Sequence, residues 1–183
     1  LADGTLLAGN DNYLYYRIDR DTGTDRGHLV SNELGWSLPA VNTQTGRVFF
    51  GSMFIALRNL FAFDAESGEK IWSSGGLGSI VSSPLLTSTS VDGAVVVGGF
   101  DGYVRAFGQK SGRQIWRFAT RDHVYASPAQ LADGRIVAAS TDGTVYALDP
   151  ERGERVWAFD TLAPIRSSPA VDAEDHIYFG SGD

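Results

Sequence analysis

A tryptophan-bearing phrase returns about every 41 to 45 residues along this chain of 183, and a chain on that beat must fold as stacked units rather than around one central core. The phrase reads Ala62-Phe-Asp64-Ala-Glu-Ser-Gly68-Glu-Lys-Ile-Trp72, then Ala106-Phe-Gly108-Gln-Lys-Ser-Gly112-Arg-Gln-Ile-Trp116, then Ala147-Leu-Asp149-Pro-Glu-Arg-Gly153-Glu-Arg-Val-Trp157. A worn first copy, Arg17-Ile-Asp19-Arg-Asp-Thr-Gly23, has Gly27 where the tryptophan should stand. The glycines are 45 (23 to 68), 44 (68 to 112) and 41 (112 to 153) positions apart, and Pro39, Pro84, Pro128 and Pro169 repeat those intervals. Two markers in phase define units of approximately 1–35 (partial), 36–80, 81–124, 125–165 and 166–183 (partial).

Within the unit 125–165, four short segments with turn residues between them carry a strand signature: A over 125–131, B over 135–140, C over 144–148 and D over 154–159. The Asp-Gly pairs 133–134 and 142–143 supply the positive φ that tight turns need. No window sustains a 3.6-residue period, which excludes stacked helix pairs. Four antiparallel strands per unit, repeated, predict an all-β fold: a β-propeller of four-stranded blades, about four of them here, as part of a seven- or eight-bladed ring. Strand B is duplicated, once from Thr5 and again from His176, so further sequence or a second copy would complete that ring.

A formal net charge of −7 and scattered basic residues argue against nucleic acid or an anionic membrane as partner. No apolar run is long enough to span a bilayer, and with no cysteine the chain has no disulfide, thiolate metal site or thiol nucleophile.

The AxDxxxGxxxW phrase, following Ser-Ser-Pro on strand A and a strand B that ends like Phe179-Gly-Ser181, resembles the repeats of the quinoprotein-like (PQQ-repeat) propellers. That family includes quinoprotein alcohol dehydrogenases, BamB-type assembly factors of the outer membrane and sensor propellers of bacterial Ser/Thr kinases. The resemblance implies that Trp72, Trp116 and Trp157 dock on neighbouring blades, with Gly68, Gly112, Gly153, Asp64 and Asp149 shaping the phrase. With Gly27 and Gly108 departing from it, looser contacts are expected there. The resemblance also implies the functional reading: a noncatalytic, BamB-like scaffold for protein partners, in the periplasm or on the extracellular side of a bacterial membrane. Alternatives are part of a dehydrogenase using PQQ and calcium, and a kinase sensor. No cofactor is expected in the first reading; PQQ with calcium belongs to the second.

In a propeller the B–C turns and the D-to-A crossings share the face beside the axial funnel, where ligands usually meet the fold. The crossing 120–126 is the richest, with Arg121, Asp122, His123 and Tyr125, and Arg166 ends the next; these suit a polar partner or a solvated loop. The second unit carries an apolar tip, Met53, Phe54, Ile55, Leu57 and Arg58, where the others carry Asp-Gly. It suits a docking surface or an internally packed strand extension. No catalytic constellation emerges: Asp122, His123 and Ser127 alternate in direction, and no GxSxG, HExxH or phosphate-binding glycine loop is present. Asp19, Asp21 and Asp25 lack a calcium loop's closing glutamate, and His28, His123 and His176 share no metal-like spacing, so no metal ligand is assigned.

Overall fold

In the strand Ala94–Gly98 every residue is buried, so period-two alternation here divides side chains between two apolar neighbours instead of between core and water. Val95 and Val97 join Phe49, Leu60 and Ala62 of the preceding sheet, while Ala94 and Val96 join Ile136, Ala138 and Leu148 of the following one. Such a strand sits inside a stack of sheets. The computed structural model describes residues 1, 3–9, 13–30, 35–53, 59–88 and 92–183.

Five antiparallel sheets follow one another in chain order. The first holds β1 (Thr5–Gly9), β2 (Leu14–Asp19) and β3 (Asp25–Val30). The second holds β4 (Ala40–Asn42), β5 (Arg47–Gly51), β6 (Leu60–Asp64) and β7 (Lys70–Ser74). The third holds β8 (Leu85–Thr87), β9 (Ala94–Gly98), β10 (Tyr103–Gly108) and β11 (Gln114–Ala119). The fourth holds β12 (Ala129–Gln130), β13 (Ile136–Ala139), β14 (Thr144–Leu148) and β15 (Arg155–Asp160), and the fifth β16 (Ala170–Val171) and β17 (Ile177–Tyr178). No helix occurs among the described residues. Each core cluster lies between consecutive sheets, and first strands touch across sheets, β4 with β8 and β12 with β16. This is the blade architecture expected from the repeat.

The strand expected over 125–131 is shorter than that, reduced to β12, because its leading residues bond sideways to other blades. Leu38 N–H donates to Ser83 Oγ (3.0 Å), Ser83 N–H to Ser127 Oγ (2.8 Å) and Ser127 N–H to Ser168 Oγ (2.9 Å), each one blade further on. The serine before each of Pro84, Pro128 and Pro169 thus forms a belt on the inner side. One position earlier, Ser37, Ser82 and Ser167 clamp their own blade: Ser82 Oγ donates to Gly98 O and accepts from Gly98 N–H, both at 2.9 Å. The remaining blade has Ala126 and Ala139 at these two positions.

Each C–D pair is bulged at the same point of the phrase: Ala62 faces Trp72 but Phe63 faces Lys70, and the shift recurs at Ala106/Phe107 and Ala147/Leu148. The bulge pushes Ile71, Ile115 and Val156 outward and turns the tryptophan toward the next blade.

Candidate interaction face

The phrase acts across blades. Trp72 Nε1 donates to Gln109 O (3.0 Å) and Trp116 Nε1 to Pro150 O (2.9 Å), in each case the carbonyl three residues before the next copy's glycine. Those glycines lie under the indoles: a Cβ at Gly112 would stand 2.6 Å from Trp72, and one at Gly153 2.5 Å from Trp116. Both also hold left-handed φ, +65° and +69°. Trp157 is half-buried and packs on the same core cluster as Val171, Ile177 and Phe179 of the fifth unit. Asp64 and Asp149 accept the N–H groups two and three residues on, capping the turn that Gly68 and Gly153 close. Gly108 offers no such carboxylate, yet its turn closes through the same Gly112 N–H to Gly108 O bond at 2.9 Å.

Arg17 occupies the region of the absent first tryptophan. Its Nη1 donates to Ala65 O (2.8 Å), the carbonyl equivalent to Gln109 O and Pro150 O, and to Glu66 O (2.9 Å). Arginine stands where other copies have the small alanine, and Gly27 where they have tryptophan, so bulk moves across the strand pair. The expected loosening at Gly27 is thereby offset, although a cavity of about 650 Å³ remains beside Asp3, Arg17, Arg26, Thr43, Asp64 and Glu66 on the side of the A–B and C–D turns. Nearby, Gly35 replaces the aliphatic residue seen as Ile80, Val124 and Ile165, and Tyr15 fills that space; its burial, countered by a bond to Ser37, pushes its hydroxyl pKa up to about 12.

On the opposite side, the B–C turns and D-to-A crossings interlock. Thr120 N–H and Oγ1 both donate to Gly102 O at 2.8 Å, Val124 N–H donates to Gly99 O, and Thr141 N–H of the fourth blade donates to His123 O (2.9 Å). Thr161 and Ile165 make matching bonds to Gly143 O and Ser140 O. The crossing at 120–126 is therefore a fixed backbone.

Its side chains divide. Arg121 turns into the fourth blade: its backbone N–H donates to Asp142 Oδ2 (2.9 Å) and Nη2 to Thr144 Oγ1 (2.8 Å). Asp142 also accepts from Tyr146 O–H at 2.6 Å. Asp122 accepts the His123 N–H, which with the Thr141 hydroxyl holds its carboxyl below the usual carboxylate range. His123, Tyr125 and Arg166 instead gather at the surface around Phe100. His123 stacks on Phe100 at 5.3 Å and 10°, Tyr125 tilts against it at 4.3 Å, and the Arg166 guanidinium lies 6.0 Å from the Tyr125 ring. Sequence reasoning did not single out Phe100; the available signal was an aromatic residue directly before the Asp101-Gly102 turn, where the fourth blade has Thr141. Met53 is half-buried, and Phe54, Ile55, Leu57 and Arg58 lie outside the described residues. Ser52 and Asn59 remain paired (2.9 Å), so β5 and β6 continue toward that tip.

A family model described as outer membrane protein assembly factor BamB matches residues 100–183. The chain folds as a β-propeller, and over residues 100–183 it is similar to the PQQ-repeat family of BamB. BamB from Moraxella catarrhalis superposes on 97% of the chain with a TM-score of 0.82 at 18% identity, the chain covering 56% of it. The WD40 β-propeller domain of Doa1 covers 99% of the chain (TM-score 0.77, 19% identity, 58% of that domain), and the computationally designed Ika8 protein 93% (TM-score 0.75, 14% identity, 50% of that protein). The propeller thus spans little more than half the length of the solved chains it matches, and at these identities they speak for the fold alone. Comparison with curated protein sequences gives no significant match.

Proposed function

We propose that this propeller is part of a noncatalytic scaffold that holds a partner protein across the face of its B–C turns and D-to-A crossings. The observation that carries the reading is the cluster of Phe100, His123, Tyr125 and Arg166, presented on a backbone bonded into two blades. Aromatic and arginine side chains on a rigid support lose little entropy on binding, which is what protein contact surfaces select. An extended partner segment would lie across Tyr125 with a carboxylate toward Arg166. The reading also takes in Met53, the described residue of the second unit's apolar stretch. The reading assigns no cofactor. Placement on the periplasmic or extracellular side of a bacterial membrane, in a ring of seven or eight blades, is proposed with it and draws support from the BamB description of the matching family model.

Replacing His123 and Tyr125 together by alanine should abolish co-purification of the partner from the native host while the melting temperature stays within a few degrees of wild type. Retained capture would refute the assignment of this face. Saturable, calcium-dependent quenching of tryptophan fluorescence by PQQ would refute the cofactor-free reading.

A further inference from the structure

We propose that the A–B hairpin of the fifth sheet is a zinc-type metal site, formed by Asp172, Glu174 and His176. The ligand-bearing atoms of these three side chains lie within 4.8 Å of one another, and no other such group exists among the described residues. The hairpin between β16 and β17 folds 172 back against 176. Asp172 Oδ1 accepts the N–H groups of Glu174 (3.0 Å) and His176 (2.8 Å), which leaves Oδ2 directed at His176 Nδ1, 2.9 Å away. The turn is tied to the fourth blade by Asp175 Oδ1, which accepts the Ala132 N–H at 2.8 Å. Asp175 holds φ +65° where the corresponding turns have Gly46, Gly93 and Gly134, so the chain doubles back there as tightly as in the glycine copies.

A tetrahedral ion with bonds of about 2.0–2.1 Å places its donors roughly 3.3 Å apart. Asp172 and His176 therefore need to part only slightly, and Glu174 to swing in by a rotamer change. The neutral imidazole would carry its proton on Nε2 and turn the Nδ1 lone pair to the ion. Tyr178 O–H, 3.0 Å from Asp172 Oδ2, would hold that carboxylate in place. One imidazole nitrogen with two carboxylates and water in the remaining position suits Zn²⁺ or a similar transition ion; Ca²⁺ takes six to eight oxygens, which this hairpin does not offer. The fifth unit differs in this from the A–B turn of the fourth, Ala132-Asp-Gly134, which has no imidazole.

The test is calorimetric titration of the whole chain with Zn²⁺, with a parallel Co²⁺ titration followed by visible absorption. One ion per chain and a tetrahedral cobalt spectrum are expected. His176→Ala should weaken binding about tenfold or more and remove the spectrum. Glu174→Gln should weaken binding with the far-UV circular dichroism unchanged, which keeps the test valid if the histidine variant misfolds. Zinc affinity that neither substitution lowers, or calcium taken in preference to zinc, would overturn the proposal.

Discussion

At Gly112 and Gly153 two requirements coincide: left-handed φ, and no atom where the indole of the preceding blade lies. Gly46 has the first requirement alone, since a Cβ there would meet nothing within 4 Å. In urea unfolding, Gly112→Ala should cost about 2–4 kcal/mol and Gly46→Ala about 1 kcal/mol, the difference being the clash with Trp72. In the same experiment Arg17→Ala should cost about 2 kcal/mol, because the carbonyls of Ala65 and Glu66 lose their donor. Arg17→Lys should not restore it, because an ammonium lacks the planar fork that reaches several carbonyls at once. Equal costs at Gly112 and Gly46 would show that backbone conformation alone explains these glycines. The phrase marks all these residues in the sequence, but periodicity does not tell which copy's glycine meets which copy's tryptophan. Nor does it show that Arg17 and Gly27 exchange bulk, because that exchange is visible only once strands C and D are paired.

Among elements, the C–D turns repeat one device: an aspartate carboxylate capping two backbone N–H groups, as Asp19 does for Asp21 and Thr22 and Asp64 for Glu66 and Ser67. The Thr22 N–H is the chief cause that lowers Asp19 from 3.8 to about 2, and the Ser67 N–H lowers Asp64 in the same direction. A carboxyl whose folded pKa is depressed stabilises the fold above its unfolded pKa, and that contribution is lost as pH falls through the folded value. Stability measured by denaturant titration should therefore decline as pH falls from about 4 to 2, and Asp19→Asn should flatten that decline; an unchanged slope would place the acid sensitivity elsewhere. Strand and turn order were legible at this scale because Asp-Gly and the phrase punctuate each unit. The short first strands were not, since the serine hydroxyls that receive their N–H groups come from another blade 41 to 45 residues away.

For the molecule as a whole, stacking of sheet on sheet makes each internal strand apolar on both faces, and the outer strand and the turn faces carry what remains for recognition. The sequence pointed to the crossing at 120–126 by its density of polar groups, yet the structure sorts that cluster by partner: the exposed Arg121 and Asp122 bond to turn groups of the fourth blade and of their own crossing, while His123 and Tyr125 meet Phe100 and Arg166, which come from other elements. Composition could not make that division, because it depends on which carbonyls and carboxylates the neighbouring blade supplies. The most direct test is photo-crosslinking in the native host, with the reactive residue at position 125 on the proposed docking face and, separately, at Thr43 on the opposite side. The account predicts a discrete protein adduct from position 125 that disappears when Phe100 and His123 are changed to alanine, with none from position 43. Adducts from both positions alike, or from position 43 alone, would contradict it.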